Sequence, residues 1–160
     1  MRIWRLCREP FAPEAFSGEG ARRFGGRWNS RGVPMVYAST SLSLAAIELF
    51  VHLEPVQAPN DLVYLSAVLP SGEPALTFQA DQLPSAWWTD DVSAGPSSIR
   101  GLGDTWMRNG SSLALMVPSV PIRAEWNVLV NPLHSRIGEL KIELPQPFIF
   151  DARMFQQGHA

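Results

Sequence analysis

Between Arg22 and His52 the chain gathers residue types that can hold phosphate and stabilise positive charge: RRFGGRWNSRGVPMVYASTSLSLAAIELFVH. Arg22, Arg23, Arg27 and Arg31 are interleaved with Gly25, Gly26 and Gly32, and Tyr37 and Glu48 follow. Arginine presents a planar fork of donors suited to phosphate. A carboxylate set among apolar residues needs a partner, a shifted titration or a wet site beside it, because burying it alone is costly. The first group can therefore take an anion, and Glu48 can act on a centre that becomes positive. The plain alternative is a Glu paired with an Arg as part of the fold.

Several elements must position these groups. Residues 17 to 34 hold Gly18, Gly20, Gly25, Gly26, Gly32 and Pro34, which reads as loop. A loop that long in a compact domain is usually functional. No Gly-Lys-Ser/Thr follows it and no dinucleotide fingerprint opens a helix, so phosphate contact falls to arginine side chains. Met35 to Ser39 reads as a strand. Ser41 to Leu53 reads as a helix, capped by Thr40 or Ser41 and stopped by Pro55. At the helical period Leu42, Ala46, Leu49 and Leu53 share a face with Phe50 beside them, while Leu44, Ile47 and Val51 cover much of the other. A helix apolar nearly all round is expected to be buried. Glu48 and His52 share the remaining strip, one turn apart.

The rest of the chain predicts more strands than helices. Arg2 to Cys7 alternates as a first strand, and Phe11 to Phe16 suits a short helical turn. Asp61 to Leu69 is a strand with Leu62, Tyr64, Ser66 and Val68 on one face, and Ala75 to Phe78 suits an edge strand. Residues 79 to 112 are the least regular, with Gly95, Pro96 and the pair Trp87-Trp88, which read as packing aromatics. A helix is expected over Ser97 to Asn109, ended by Gly110. Leu113–Val117, Val128–Val130, Ile137–Leu144 and Phe148–Phe150 read as strands. The expectation is one α+β domain over residues 1–160, with a mainly antiparallel sheet and a few helices.

Composition excludes several classes. The 160 residues are 46% hydrophobic, ordinary for a globular domain. No apolar run suits a bilayer span, and MRIWRLCREPF carries charges where a signal peptide needs its apolar segment, so a cytoplasmic protein is expected. Cys7 is the single cysteine, which agrees with a reducing compartment, and it reads as packing. Three His and one Cys show no ligand spacing, so no metal is expected. Net charge is −2, which gives no global field for nucleic acid. Locally the picture differs: up to residue 31 seven Arg stand against three Glu, a balance of +4.

The blocks GGRWNSRG, VYAS and SLAAIEL resemble the RES domain, a family named for an Arg, a Glu and a Ser. Further likeness in MVPS around Ser119, in NVLVNPLH and in FIFDAR extends the resemblance over nearly the whole chain. The resemblance implies a fold like that of ADP-ribosyltransferases. It implies a toxin of a bacterial toxin–antitoxin pair that acts on NAD as substrate, by hydrolysis, phosphorolysis or ADP-ribosyl transfer to a protein. By the same resemblance, Arg27 would bind phosphate or position the nicotinamide ribose, and Tyr37 would stack on a ring or contact the ribose. Glu48 would hydrogen-bond the ribose and stabilise the developing cation, and Ser119 would hydrogen-bond nicotinamide or ribose. Arg31 and Asn131 join them as NAD-binding candidates, with Arg5 and His52 behind. The implied partner is an antitoxin with a helix-turn-helix region, so that DNA is met only through it; no membrane is involved and a homodimer stays open. Two other classes remain: a non-catalytic binding module with Arg27 and Glu48 salt-bridged, and a ribonuclease-type toxin. The net charge and the lack of a His pair argue against the ribonuclease.

Overall fold

Short apolar segments with alternating side chains build a single sheet. The computed structural model describes residues 1–53, 59–73, 76–89 and 98–155. Among these, eight strands are joined: β1 (Arg2–Arg8), β2 (Val36–Ser39), β3 (Leu62–Val68), β4 (Leu76–Thr77), β5 (Ala114–Pro118), β6 (Trp126–Val130), β7 (Lys141–Ile142) and β8 (Gln146–Pro147). Their order is β4-β5-β6-β2-β1-β3-β7, with β8 also on β3. The pairings are antiparallel except β4 with β5, which is parallel. The expected α+β class and the edge position of β4 both hold.

Successive strand residues point to opposite faces, so register sorts the side chains. One face carries Ile3, Val36, Ala38, Leu65, Val128 and Val130, buried in one cluster with Ala12, Ala15 and Phe16. The opposite face is covered in two places. Over β1 and β3, Leu6 and Leu62 pack with Ala45, Ala46 and Phe150. Over β5 and β6, Leu115, Val117 and Leu129 pack with Trp28, Trp106 and Met107. Between these covers, Ser39 pairs with Trp4 on one side and with Asn127 on the other, and Asn127 pairs onward with Val117. Two polar side chains thus occupy the junction of two apolar clusters.

Among the described residues three α-helices cover the strands: α1 (Glu19–Phe24), α2 (Leu42–Phe50) and α3 (Ile99–Asn109). The predicted loop over residues 17 to 34 contains α1, a six-residue helix that starts after Gly18 at φ 73° and ends at Gly25. Glycines at both ends hid it. Ser41 caps α2 by accepting from the Leu44 N–H, as anticipated. The helix stops at Phe50, short of the predicted Leu53, and it is half-covered where full burial was expected. Leu44, Ala45 and Ala46 are buried, whereas Val51 beyond its end is 53% exposed. Ser98 caps α3 and Gly110 at φ 56° ends it. The strand predicted over Ile137–Leu144 is instead a 3-10 turn at Ile137–Glu139 followed by the two-residue β7. Phe148 still donates its N–H to the Leu62 carbonyl and packs on Phe150, whose ring in turn meets Phe50 and Phe155. Pro55, Ala75, Gly95, Pro96 and Ser97, used as sequence landmarks, lie outside the described residues.

The contact between β1 and β2 is narrow. β1 runs beside β3 from Arg2↔Val68 to Arg8↔Leu62, but meets β2 at Trp4↔Ser39 alone. Arg5 fills the opening, its Nη1 donating to the Tyr37 carbonyl. Its buried Nε has no partner among the described residues, and burial lowers the guanidinium from its ordinary pKa. Cys7, half-buried on the same strand, has its thiol pushed up chiefly by burial, which suits inert packing.

Candidate active site

The arginine loop is held from three sides. Asn29, fully buried, donates to the Ala21 and Val33 carbonyls at 2.9 and 2.8 Å. Tyr37 rises from β2 beneath it. Its hydroxyl accepts from the Trp28 N–H at 3.0 Å and donates to Asn29 Oδ1 at 2.7 Å. Burial raises the Tyr37 pKa above the ordinary tyrosine value and keeps the phenol neutral. From α3, Arg100 donates to the Gly26 carbonyl and buried Asp104 accepts from the Ser30 N–H at 2.9 Å. A buried backbone group left unpaired costs about 1–3 kcal/mol, so these contacts fix the loop's shape.

The four arginines of this region differ in use. Arg22 and Arg23 both bind Glu19 on the exposed surface of α1 and hold its carboxyl down at about 2. Arg27, half-buried, directs Nη1 to the carbonyls of Trp87 and Thr89 at 3.1 and 2.8 Å. It thereby ties the segment containing both tryptophans to the loop. Arg31 is exposed and approaches the Phe24 carbonyl at 3.4 Å.

Glu48 reaches from α2 over the junction of the two clusters. Its Oε1 accepts from Ser119 Oγ at 2.7 Å and also from Asn127 Nδ2. Ser119, fully buried, accepts in turn from the Ile122 N–H at 3.1 Å. Asn127 Oδ1 accepts from Ser39 Oγ at 2.7 Å. Both donors to Glu48 are neutral, and among the described residues it forms no ion pair. The Arg27–Glu48 salt bridge that would make both residues purely structural is therefore not formed. Charge-assisted hydrogen bonds are about twice as strong as neutral ones, which lets two of them hold a half-buried carboxylate without a cation.

The structure thus links Glu48 to Ser119 directly, and Arg27 to Tyr37 through the adjoining Trp28. The two pairs meet on β2, where Tyr37 and Ser39 point to the same face two residues apart, about 7 Å along the strand. Asn131 is not joined to them by any hydrogen bond among the described residues. It lies four residues beyond Asn127, about 13 Å along the chain direction of β6. Its amide meets the Met107 carbonyl and its Oδ1 accepts from the Leu133 N–H, so both ends serve the turn and α3. His52 is exposed past the end of α2. Arg5 stands behind Tyr37, as described. The sequence reading missed Asn127 and Ser39. The available signal was a polar residue inside WNVLV and a serine closing VYAS, where an apolar face would otherwise continue. Among the described residues no group of three His, Cys, Asp or Glu is placed to hold a metal ion.

Fold and site together define an α+β protein with an arginine loop and a lone carboxylate on one sheet face. The model of the RES domain family matches residues 2–151, and the chain belongs to that family. Its relatives include "Toxin Res" of Pseudomonas putida, 36% identical over 97% of this chain and 100% of that one. "Toxin Res" of Photorhabdus laumondii is 35% identical over 88% of this chain and 90% of that one. The "Prs ADP-ribosylating toxin" of a Sphingobium species is 34% identical over 97% of each chain. The fold is also that of a chain in the crystal structure of the M. tuberculosis MbcT-MbcA toxin-antitoxin complex. That match has a TM-score of 0.68 and 19% identity, over 92% of this chain and 83% of that one.

Proposed function

We propose that this chain is the toxin of a toxin–antitoxin pair and that it breaks the nicotinamide–ribose bond of NAD. The observation that carries the reading is Glu48: a carboxylate held by neutral donors on Oε1, with no donor on Oε2 among the described residues. Such a group is suited to a centre that becomes positive in the transition state. In the reaction the C1′–N bond breaks and its electron pair goes to the pyridinium nitrogen, so nicotinamide leaves neutral. The ribose gains oxocarbenium character, as in glycoside cleavage. Glu48 stabilises that charge through Oε2, and Ser119 keeps the carboxylate aimed. Arg27 takes phosphate or positions the ribose, and Tyr37 fixes the loop that presents Arg27. Water, phosphate or a protein side chain then adds to C1′, giving hydrolysis, phosphorolysis or ADP-ribosylation. The relatives' names support the toxin part of this reading, and the Sphingobium protein's name supports ADP-ribosyl chemistry. No helix among the described residues is long and apolar enough to cross a membrane, which fits work in the cytoplasm.

The test is free nicotinamide from purified protein and NAD. All three acceptors require its release, whereas a binding module or a ribonuclease gives none. Glu48→Gln keeps the shape and should lower the rate about a hundredfold or more, with the fold retained. Full activity in that variant would sink the assigned role. The restraint on such an enzyme is proposed to be an antitoxin whose acidic or carboxylate-ended segment plugs the site at Arg27. Its helix-turn-helix part would carry the pair to DNA. Co-purification with the neighbouring gene product should give a complex that no longer cleaves NAD; a stable complex with unchanged cleavage would refute the plug.

A further inference from the structure

We infer that Asn127 is a positioning residue for Glu48, aiming its carboxylate so that Oε2 is the oxygen presented to substrate. The inference rests on the NAD reading for its substrate, but its geometry stands alone. Asn127 donates to Glu48 Oε1, the same oxygen that Ser119 takes. Two donors on one oxygen fix both the position and the rotation of the carboxylate, and leave Oε2 with none among the described residues. Asn127 is itself oriented, because Ser39 Oγ donates to its Oδ1 at 2.7 Å. That bond requires the amide nitrogen to face Glu48. The whole chain is directional: Ser39 gives to Asn127, Asn127 gives to Glu48, and Ser119 gives to Glu48 while receiving from the Ile122 N–H. Every hydrogen in it points toward the carboxylate, so the chain orients an anion.

Neighbouring strands hold the arrangement. Ser39 and Asn127 are directly opposed in the β2–β6 ladder, and Asn127 is opposed to Val117 in the β5–β6 ladder. Glu48 comes from α2, which follows β2 after two residues. The donor therefore sits on rigid sheet while the carboxylate sits on a helix packed over it, an arrangement that suits preorganisation.

The experiment compares wild type, Asn127→Ala, Asn127→Asp and Ser39→Ala in nicotinamide release from NAD, with melting curves as the folding control. Asn127→Ala should lower kcat by about tenfold to a hundredfold, the worth of one hydrogen bond to a charged group, with KM within about threefold. Ser39→Ala should lower kcat in the same direction by less. Asn127→Asp gives the readout that a merely structural role would not move. Ionised, the introduced carboxyl repels Glu48; protonated, it donates as the amide did. A nearby like charge raises its pKa above the ordinary aspartate value. The ratio of Asn127→Asp activity to wild-type activity should therefore rise as pH falls toward 6. Unchanged kcat in a folded Asn127→Ala, or the same pH profile in Asn127→Asp as in wild type, overturns the inference.

A second measurement separates this failure from failure of the NAD reading. In the NMR spectrum of the whole protein the Asn127 side-chain amide should lie downfield, and Glu48→Gln should move it upfield. If wild type releases no nicotinamide but this resonance moves, the NAD reading falls and the positioning of Glu48 stands. If the resonance does not move, the positioning falls whatever the substrate.

Discussion

Gly103 of α3 lies so close to the carbonyl of Trp28 that a Cβ built on it would stand 1.9 Å from that oxygen. The helix thus rests directly on the backbone of the arginine loop, next to Arg27. Gly26 makes a matching approach from the other side, where a Cβ would meet the Tyr37 hydroxyl at 2.5 Å. Helix, loop and strand are stacked without room for one methyl group.

Gly103→Ala is therefore expected to push the loop off α3. Overpacking of this kind costs about 1–3 kcal/mol. Tm should fall and nicotinamide release should fall with it, because the Arg27 backbone moves with Trp28. A melting curve unchanged from wild type would contradict the packing.

The behaviour of Tyr37 sets an alkaline limit. Its folded pKa is raised by burial, so the folded state keeps a proton that the unfolded chain loses above the ordinary value of about 10. Above that pH the unfolded state binds fewer protons, and stability falls as pH rises. Tyr37→Phe should flatten the fall between about pH 10 and 11. It should also cost about 1–3 kcal/mol at neutral pH, because the Trp28 N–H and Asn29 Oδ1 lose their partner. Denaturant titrations of both proteins at pH 7 and 11 check both effects.

Ser119→Ala removes a donor from Glu48 and the acceptor of the Ile122 N–H. Its kcat should fall about tenfold to a hundredfold with little change in KM. A rise in KM with kcat intact would instead mark Ser119 as a substrate contact.

Arg27→Lys keeps the charge but loses the planar fork. The carbonyls of Trp87 and Thr89 lose a fixed donor, and phosphate loses a bidentate one. KM for NAD should rise about tenfold, one lost charge-assisted bond. Limited proteolysis should cut near residues 83–89 faster than in wild type.

Residue types and spacing were enough to read the helix that carries Glu48, the strand that carries Tyr37 and the mostly antiparallel sheet. The helix and the strand have local causes, the Ser41 cap and the apolar alternation, as does the end of α3 at Gly110. Long-range pairing was not legible. Asn127 gains its meaning from being opposed to Ser39, 88 residues away, which no local pattern encodes. The helix Glu19–Phe24 was masked because glycines suit both turns and helix ends. It forms with Glu19 one turn from Arg22 and Arg23, in a segment where loop chemistry dominates. The lone polar strip of α2 was read correctly for Glu48 but not for His52, because the helix ends before reaching it.

The narrow junction between β1 and β2 divides the machinery. α2 is anchored by Ala45 and Ala46 to the β1–β3 side, through Leu6 and Leu62. Ser119 and Asn127 stand on the β5–β6 side. The strand ladder joins the two panels at Trp4↔Ser39, beside the Arg5 guanidinium, while on the other face one buried core spans both, with Ile3 and Leu65 packed in the same cluster as Val36, Ala38, Val128 and Val130. A carboxylate and its two donors are thus mounted on opposite sides of a junction that the ladder crosses once and the core crosses throughout. Because that core is common to both panels, warming should part the carboxylate from its donors only as the core itself gives way, so activity and secondary structure should be lost together.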